Sequence, residues 1–256
     1  MSILDQFKLD GQVALVVGGN RGLGIEIAKA LASAGANIAI AARDSEKNSE
    51  ASIQVIEETG KKCLALACDV TSEESVKQTI DQTMQEYGRI DILVNSAGIN
   101  IRGGINDLSL DDFNKVQQVN VTGSWLTCRE VVPVMKKQGY GRIVNIGSML
   151  SLIAIPDRTP YCSSKGAVMQ LTRALAIELA KEKITVNAIL PGPFATEINL
   201  PLLDDPVKYQ EFVNKLPMGR WGELDEIGGL VLYLASPSSS FVTGSGLSID
   251  GGWTAQ

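Results

Sequence analysis

The 256-residue sequence contains no histidine. This absence excludes a Ser-His-Asp triad, a histidine-bound catalytic zinc and a histidine general base. Proton transfer near neutral pH must then come from tyrosine, lysine, cysteine or a carboxylate whose pKa is altered by its surroundings. The composition therefore narrows the possible enzyme mechanisms before any motif is considered.

The sequence also lacks a basic charge excess and any long apolar run. Its formal net charge is −6 and its isoelectric point is near 4.9, which argues against nucleic-acid binding. No apolar stretch reaches the 18 residues of a transmembrane helix, and the first residues do not resemble a signal peptide. The four cysteines have no C-x-x-C spacing, so we expect reduced thiols and a cytoplasmic location.

Short apolar segments alternate with segments of helical periodicity. The predicted strands are 13–17, 38–42, 63–68, 90–94, 142–146, 185–190 and 246–249. The predicted helices are 22–34, 45–58, one capped by Thr71 or Ser72 and ending at Tyr87, 111–137, 159–181 and 225–235. Strands that are apolar throughout are typical of a parallel sheet covered on both faces. We predict an α/β, doubly wound, Rossmann-like fold in one domain over residues 1–256, because a TIM barrel needs eight β-α units.

A glycine-rich loop joins the first predicted strand to the first helix: Gly18, Gly19, Asn20, Arg21, Gly22, Leu23 and Gly24. Glycines allow the backbone to turn sharply beside a pyrophosphate, and the helix N-terminus offers N–H groups. The spacing is G-x-x-x-G-x-G, and its strand-loop-helix context favours dinucleotide binding. A turn that only packs the strand against the helix is the alternative.

Tyr161 and Lys165 lie four residues apart on a predicted helix and therefore share a face. A nearby ammonium favours the tyrosinate and lowers the tyrosine pKa from about 10. Ser148 follows the fifth predicted strand, at the sheet edge where such folds bind ligands. A surface Tyr-Lys pair and a helix cap at Ser148 are the alternatives when each motif is taken singly.

In their order and spacing, these motifs resemble those of the short-chain dehydrogenase/reductase family over residues 12–253. The resemblance implies four catalytic residues: Asn120, Ser148, Tyr161 and Lys165. It implies that the cofactor is bound by Gly18, Asn20, Arg21, Gly22, Leu23, Gly24, Arg43, Asp69, Val70, Asn95, Ala97, Gly98, Tyr161, Lys165, Pro191, Gly192 and Thr196. Val17 and Ser96 replace the family's usual Thr and Asn, and neither change removes a catalytic group.

The mechanism implied by the resemblance is hydride transfer between a nicotinamide and a ketone or secondary alcohol, without a metal. Tyr161 would act as the general acid in reduction and the general base in oxidation. Lys165 would hold the cofactor ribose and lower the pKa of Tyr161. Ser148 would polarise the substrate oxygen, and Asn120 would position a water molecule that relays protons.

The residues after the second predicted strand indicate the cofactor. Relatives that prefer NAD usually carry an acidic residue at the position of Ala42, and here Arg43 follows instead. The guanidinium groups of Arg43 and Arg21 suit a 2′-phosphate, so NADP(H) is favoured over NAD(H). Two solvated surface arginines are the alternative.

The segment 194–221 corresponds to the family's variable substrate lid, and the segment 100–102 adds polar groups near the site. The stretches GINIRG, NIGSMLS and GRWGE resemble gluconate 5-dehydrogenases and related enzymes. This resemblance implies a small polar, sugar-acid or polyol substrate, whose carboxylate would meet Arg102 or Arg158 unless both are surface residues. The alternatives are a 3-oxoacyl-carrier-protein reductase and a non-catalytic nucleotide-binding sensor. The resemblance also implies a homotetramer with no nucleic-acid or membrane partner.

Overall fold

Seven strands form one parallel sheet in the computed structural model, which describes residues 2–199 and 205–256. They are β1 (Val13–Val17), β2 (Asn37–Ala42), β3 (Cys63–Ala67), β4 (Ile92–Asn95), β5 (Gly141–Ile146), β6 (Ile184–Pro191) and β7 (Gly246–Ile249). Their order is β3-β2-β1-β4-β5-β6-β7. The chain changes direction between β1 and β4, and doubly wound sheets bind ligands at that point. The predicted Rossmann-like fold is confirmed.

The described helices cover both faces of this sheet. They are α1 (Gly22–Ser33), α2 (Ser45–Thr59), α3 (Glu73–Tyr87), α4 (Leu110–Gln117), α5 (Gly123–Gln138), α6 (Thr159–Leu179), α7 (Pro206–Val213) and α8 (Ile227–Ala235). Residues of α1, α2 and α8 form one buried apolar cluster with the sheet, and residues of α3, α5 and α6 form another. Burial on both faces explains why the strands are apolar throughout. None of the described helices is long and apolar enough to span a membrane.

Local capping explains where the predicted helices α2 and α3 begin and end. The side chain of Asp44 caps α2 by accepting a hydrogen bond from the Lys47 amide, and Ser72 caps α3 in the same way. Ser72 is thus the cap that the sequence left open between two residues. Each helix ends at a glycine in the left-handed conformation, Gly60 and Gly88.

The predicted helix 111–137 is not continuous in the structure. A π-helical turn, Gln118–Thr122, separates α4 from α5, and the Gly123 amide bonds to the Gln118 carbonyl. A single extra residue per turn leaves the apolar periodicity almost unchanged, so the sequence pattern could not reveal it. The turn matters because it contains Asn120, a predicted catalytic residue.

The predicted substrate lid, 194–221, contains the helix α7, which the sequence pattern did not predict. Residues 200–204 of this segment lie outside the described residues. Tyr209 of α7 stacks on Trp221 with ring centroids 5.7 Å apart, and Phe212 lies 5.9 Å from the same indole. The aromatic contacts hold the end of the lid segment against the carboxyl edge of the sheet.

Candidate active site

A cleft of about 400 Å³ opens at the carboxyl edge of the sheet. Most of the predicted site residues line it: Gly18, Asn20, Arg21, Gly22, Leu23, Gly24, Arg43, Asp69, Val70, Ala97, Gly98, Ser148, Tyr161, Lys165, Pro191, Gly192 and Thr196. Asn95 and Asn120 are buried outside its lining. The fold therefore brings together residues that are up to 178 positions apart, from Gly18 to Thr196.

The glycine-rich loop forms one end of the cleft. Gly18 has a φ of +81°, and a Cβ there would lie 2.5 Å from the Ala97 amide nitrogen. A Cβ on Gly24 would collide with the Gly18 carbonyl oxygen. The loop can pack this closely only because these positions lack side chains, and α1 begins without a side-chain cap. The arrangement fits a pyrophosphate held by backbone N–H groups.

Asp69 and Arg43 flank the same end of the cleft. The Asp69 carboxylate accepts hydrogen bonds from the Thr71 amide (2.9 Å) and hydroxyl (2.7 Å). These bonds, with a smaller contribution from the Arg43 charge, lower the pKa of Asp69. The ionised carboxylate and the guanidinium are therefore both presented to a ligand at this end.

Lys165 and Tyr161 lie at the opposite end, on the first turns of α6. Lys165 is 5% exposed, and its Nζ donates a hydrogen bond to the Ile146 carbonyl, 2.7 Å away. The same Nζ lies 5.5 Å from the centroid of the Tyr161 ring. The shared helix face predicted from their spacing thus places both groups in the cleft.

Burial controls the proton affinities of this pair. It lowers the pKa of Lys165 to about 8. It raises the pKa of Tyr161 to about 12, although an interaction with the Ser148 hydroxyl opposes the rise. Within the protein alone, burial thus outweighs the lowering that we predicted for Tyr161, and the phenol is protonated at neutral pH.

The Asn120 side chain holds the site together rather than entering the cleft. Its Oδ1 accepts a hydrogen bond from the Ile99 amide (2.9 Å), and its Nδ2 donates to the Ile99 carbonyl (3.0 Å). Nδ2 also donates to Ser164 Oγ (3.0 Å), whose hydroxyl donates to the Tyr161 carbonyl (2.8 Å). Asn120 therefore connects the segment after β4 to the helix of Tyr161 and Lys165. Sequence reasoning missed Ser164, whose only signal is a polar residue beside Lys165.

Asn95 is corrected from a cofactor contact to a positioning residue. Its Nδ2 donates to Asn145 Oδ1 (2.9 Å), and its Oδ1 accepts from the Thr127 hydroxyl (2.6 Å). Asn145 in turn donates to the Thr172 hydroxyl (2.9 Å). The four buried side chains join β4 and β5 to α5 and α6, so no polar atom of the Asn95 side chain lines the cleft.

Two arginines line the cleft at the Tyr161 end. Arg102 Nη2 donates a hydrogen bond to Asn199 Oδ1 (3.2 Å), and Arg158 Nη1 donates to the Asp157 carbonyl (2.8 Å). Burial lowers the pKa of each guanidinium, and the charge of Arg158 lowers that of Arg102 further. Two half-buried positive groups that repel each other make this end of the cleft attractive to an anion.

The glycine-rich loop and the lid segment touch each other across the cleft. Arg21 Nη1 and Glu197 Oε2 are 2.5 Å apart and form an ion pair. A Cβ on Gly22 would lie 3.4 Å from the Thr196 side chain, which shows how closely the segments approach. Arg21 is therefore partly neutralised by a residue that the sequence analysis did not identify.

The fold and the cleft define a class of protein: an oxidoreductase with a dinucleotide-binding sheet and a Ser-Tyr-Lys constellation. Sequence comparison agrees, because a model of the family described as enoyl-(acyl carrier protein) reductase matches residues 17–254. The chain belongs to the short-chain dehydrogenase/reductase family and is an NAD(P)-dependent enzyme.

Similar proteins include several sugar-acid dehydrogenases. The chain is 36% identical to gluconate 5-dehydrogenase of Gluconobacter oxydans, over 99% of both sequences. A short-chain type dehydrogenase/reductase from Mycobacterium marinum superposes with a TM-score of 0.95 at 41% identity, covering 100% of both chains. The structure of a gluconate 5-dehydrogenase from Burkholderia cenocepacia, in complex with NADP and tartrate, superposes at 0.96 with 38% identity and 100% coverage of both chains.

Proposed function

We propose that this protein is an NADP(H)-dependent dehydrogenase that interconverts a secondary alcohol and a ketone in a small polyhydroxy carboxylic acid. The observation that carries the substrate class is the pair Arg102 and Arg158 at the Tyr161 end of the cleft. Bidentate guanidinium groups suit carboxylates, and their mutual repulsion is relieved by a bound anion. The names of the similar sugar-acid dehydrogenases support the same class.

NADP(H) is supported by the charges near Arg43. The end of β2, at Ala42, carries no carboxylate for the hydroxyls of an unphosphorylated ribose. The nearby carboxylate of Asp44 caps α2 through the Lys47 amide (3.1 Å) and is partly committed to that contact. Arg43 and Lys47 line the same part of the cleft and present positive charge to a 2′-phosphate.

The catalytic roles follow from the positions of the side chains. A bound nicotinamide would supply or accept the hydride. Tyr161 would donate its phenolic proton to the developing alkoxide in reduction and remove the alcohol proton in oxidation. Ser148, which interacts with Tyr161, would hold the substrate oxygen. Lys165 would keep a positive charge beside the phenol, and Asn120 would maintain the geometry through Ile99 and Ser164.

The proposal is tested by steady-state kinetics with a matched substrate panel. We expect D-gluconate to be oxidised with NADP⁺, and with a kcat/KM at least tenfold higher than with NAD⁺. Replacement of Arg102 by Met should raise KM for D-gluconate about tenfold or more, with less effect on an uncharged polyol, because a charge-assisted bond is lost. Turnover of an acetoacetyl thioester alone would instead support the 3-oxoacyl-carrier-protein reductase. No turnover of any substrate would support the nucleotide-binding sensor.

We also propose a cytoplasmic homotetramer, each subunit being one catalytic domain of residues 1–256 with its lid at 194–221. Exposed apolar side chains on α4 to α6 support self-association: Leu110, Phe113, Trp125 and Ile177. The four cysteines are free thiols, as expected in a reducing compartment. Light scattering should give a mass near four times 27.3 kDa, and a monomer would contradict the assembly.

A further inference from the structure

The described residues contain six buried side-chain polar atoms without a hydrogen-bond partner. They are Gln12 Oε1, Asn48 Oδ1, Asn100 Oδ1, Tyr140 OH, Thr185 Oγ1 and Trp221 Nε1. Only Asn100 and Trp221 in this set belong to the lining of the active-site cleft. A buried polar atom without a partner is costly, and a ligand commonly supplies the partner when the atom faces a binding site.

Trp221 is held firmly enough to direct its N–H group. The residue is 5% exposed, and its indole packs against Tyr209 and Phe212. Leu216 and Trp253 belong to the same buried cluster. The indole Nε1 can only donate a hydrogen bond, so it requires an oxygen acceptor from whatever occupies the cleft.

Asn100 is placed by the residue before it. The Ile99 amide and carbonyl are both bonded to Asn120, which fixes the backbone immediately before Asn100. Two residues later, Arg102 lines the Tyr161 end of the same cleft. The Oδ1 atom of Asn100 can only accept a hydrogen bond, so it requires a hydroxyl or another donor.

We propose that Asn100 and Trp221 select the substrate by its hydroxyl groups. Asn100 Oδ1 accepts a hydrogen bond from one hydroxyl, and Trp221 Nε1 donates to the oxygen of another. The substrate then carries at least two hydroxyls besides the one that is oxidised, together with the carboxylate that meets Arg102 and Arg158. This inference rests on the proposed function and adds the residues that distinguish a polyhydroxy acid from a simple hydroxy acid. A site with buried groups of this kind discriminates strongly against an analogue that lacks the matching hydroxyl.

The test compares D-gluconate with 5-hydroxyhexanoate, which keeps the carboxylate and the reacting hydroxyl but lacks the others. The readout is the ratio of kcat/KM for the two acids with NADP⁺. Trp221→Phe removes the N–H group while keeping an aromatic ring, and Asn100→Leu removes the acceptor at similar volume. Each change should lower the ratio about tenfold or more, because D-gluconate loses a hydrogen bond that 5-hydroxyhexanoate never made.

Trp253→Phe is the matched control, since Trp253 lies in the same aromatic cluster but does not line the cleft. Its ratio should equal that of the wild type, and circular dichroism should show that every variant is folded. Asn100→Ala replaces the leucine variant if the latter does not fold. An unchanged ratio in the Asn100 and Trp221 variants, or a wild-type ratio near one, would overturn this inference and leave the proposed function intact. Failure of the wild type to oxidise either acid would overturn both.

Discussion

Lys165 donates a hydrogen bond from its Nζ to the main-chain carbonyl of Ile146 at a distance of 2.7 Å. This bond joins the helix α6 to the end of β5 at the floor of the cleft. It is the sole hydrogen bond that the ammonium makes to described residues, although the side chain is almost completely buried. The lysine therefore carries a charge that is poorly compensated by the protein and available to a ligand.

Replacing Lys165 with Met should stabilise the protein while abolishing its activity. Burial lowers the pKa of Lys165 from 10.5 to about 8, so burying its charged form costs folding about 3 kcal/mol below pH 8. Loss of the bond to Ile146 offsets about 1 kcal/mol of this, which leaves a gain of about 2 kcal/mol at pH 7. Urea denaturation of both proteins at pH 7 measures the difference.

The same variant makes a prediction about pH. Between about pH 8 and 10.5 the unfolded wild-type chain binds the Lys165 proton and the folded chain does not. Raising the pH therefore favours the folded wild type, and the advantage of Lys165→Met should shrink across this window. An advantage that is constant or that grows with pH would contradict the assignment of the charge burial to Lys165.

Tyr161→Phe should lower kcat for D-gluconate oxidation at least a thousandfold, because the variant has no phenolic group to transfer the proton. The affinity for NADPH should change less than threefold, since the aromatic ring that packs in the cleft remains. Fluorescence titration measures the affinity. Tyr233→Phe on α8, outside the cleft, is the control and should retain wild-type kinetics. Near-normal turnover by Tyr161→Phe would refute the assigned role.

Glu197→Gln should strengthen NADP(H) binding about two- to fivefold and change NAD(H) binding less. The substitution releases Arg21 from an ion pair whose side chains are about half exposed, and such pairs contribute at most about 1 kcal/mol. A guanidinium that is no longer neutralised attracts the 2′-phosphate more strongly. Glu182→Gln, which removes a similar exposed partner of Lys136, is the control. Equal effects on both cofactors would show that Arg21 does not contact the 2′-phosphate.

The sequence was sufficient to predict the sheet and most of the cleft, because strand burial and the glycine-rich loop leave strong local patterns. The strand limits agree with the structure to within two residues; the largest difference is at β4, where the main-chain groups of Asp91 and Ile90 bond outside the strand. The Tyr161–Lys165 pair was equally predictable, since four residues make about one helical turn.

Long-range contacts could not be predicted in the same way. Arg21 and Glu197 are 176 positions apart, and neither residue type identifies the other as its partner. The position of Trp221 depends on α7 and its aromatic contacts, which are set by tertiary packing. For Asn95, the motif correctly indicated importance but gave the wrong role, because its side chain pairs with Asn145 across neighbouring strands.

The π-helical turn at Gln118–Thr122 has a consequence for how this chain tolerates insertions and deletions. Such a turn holds one residue more than a regular helix needs. Deleting one residue there would restore an unbroken helix and rotate everything on one side of the deletion by about 100° relative to the other. Asn120 would then leave Ile99 and Ser164, although the helix itself would gain regularity. The extra residue is therefore a point at which local helical order and enzymatic competence cannot be improved together.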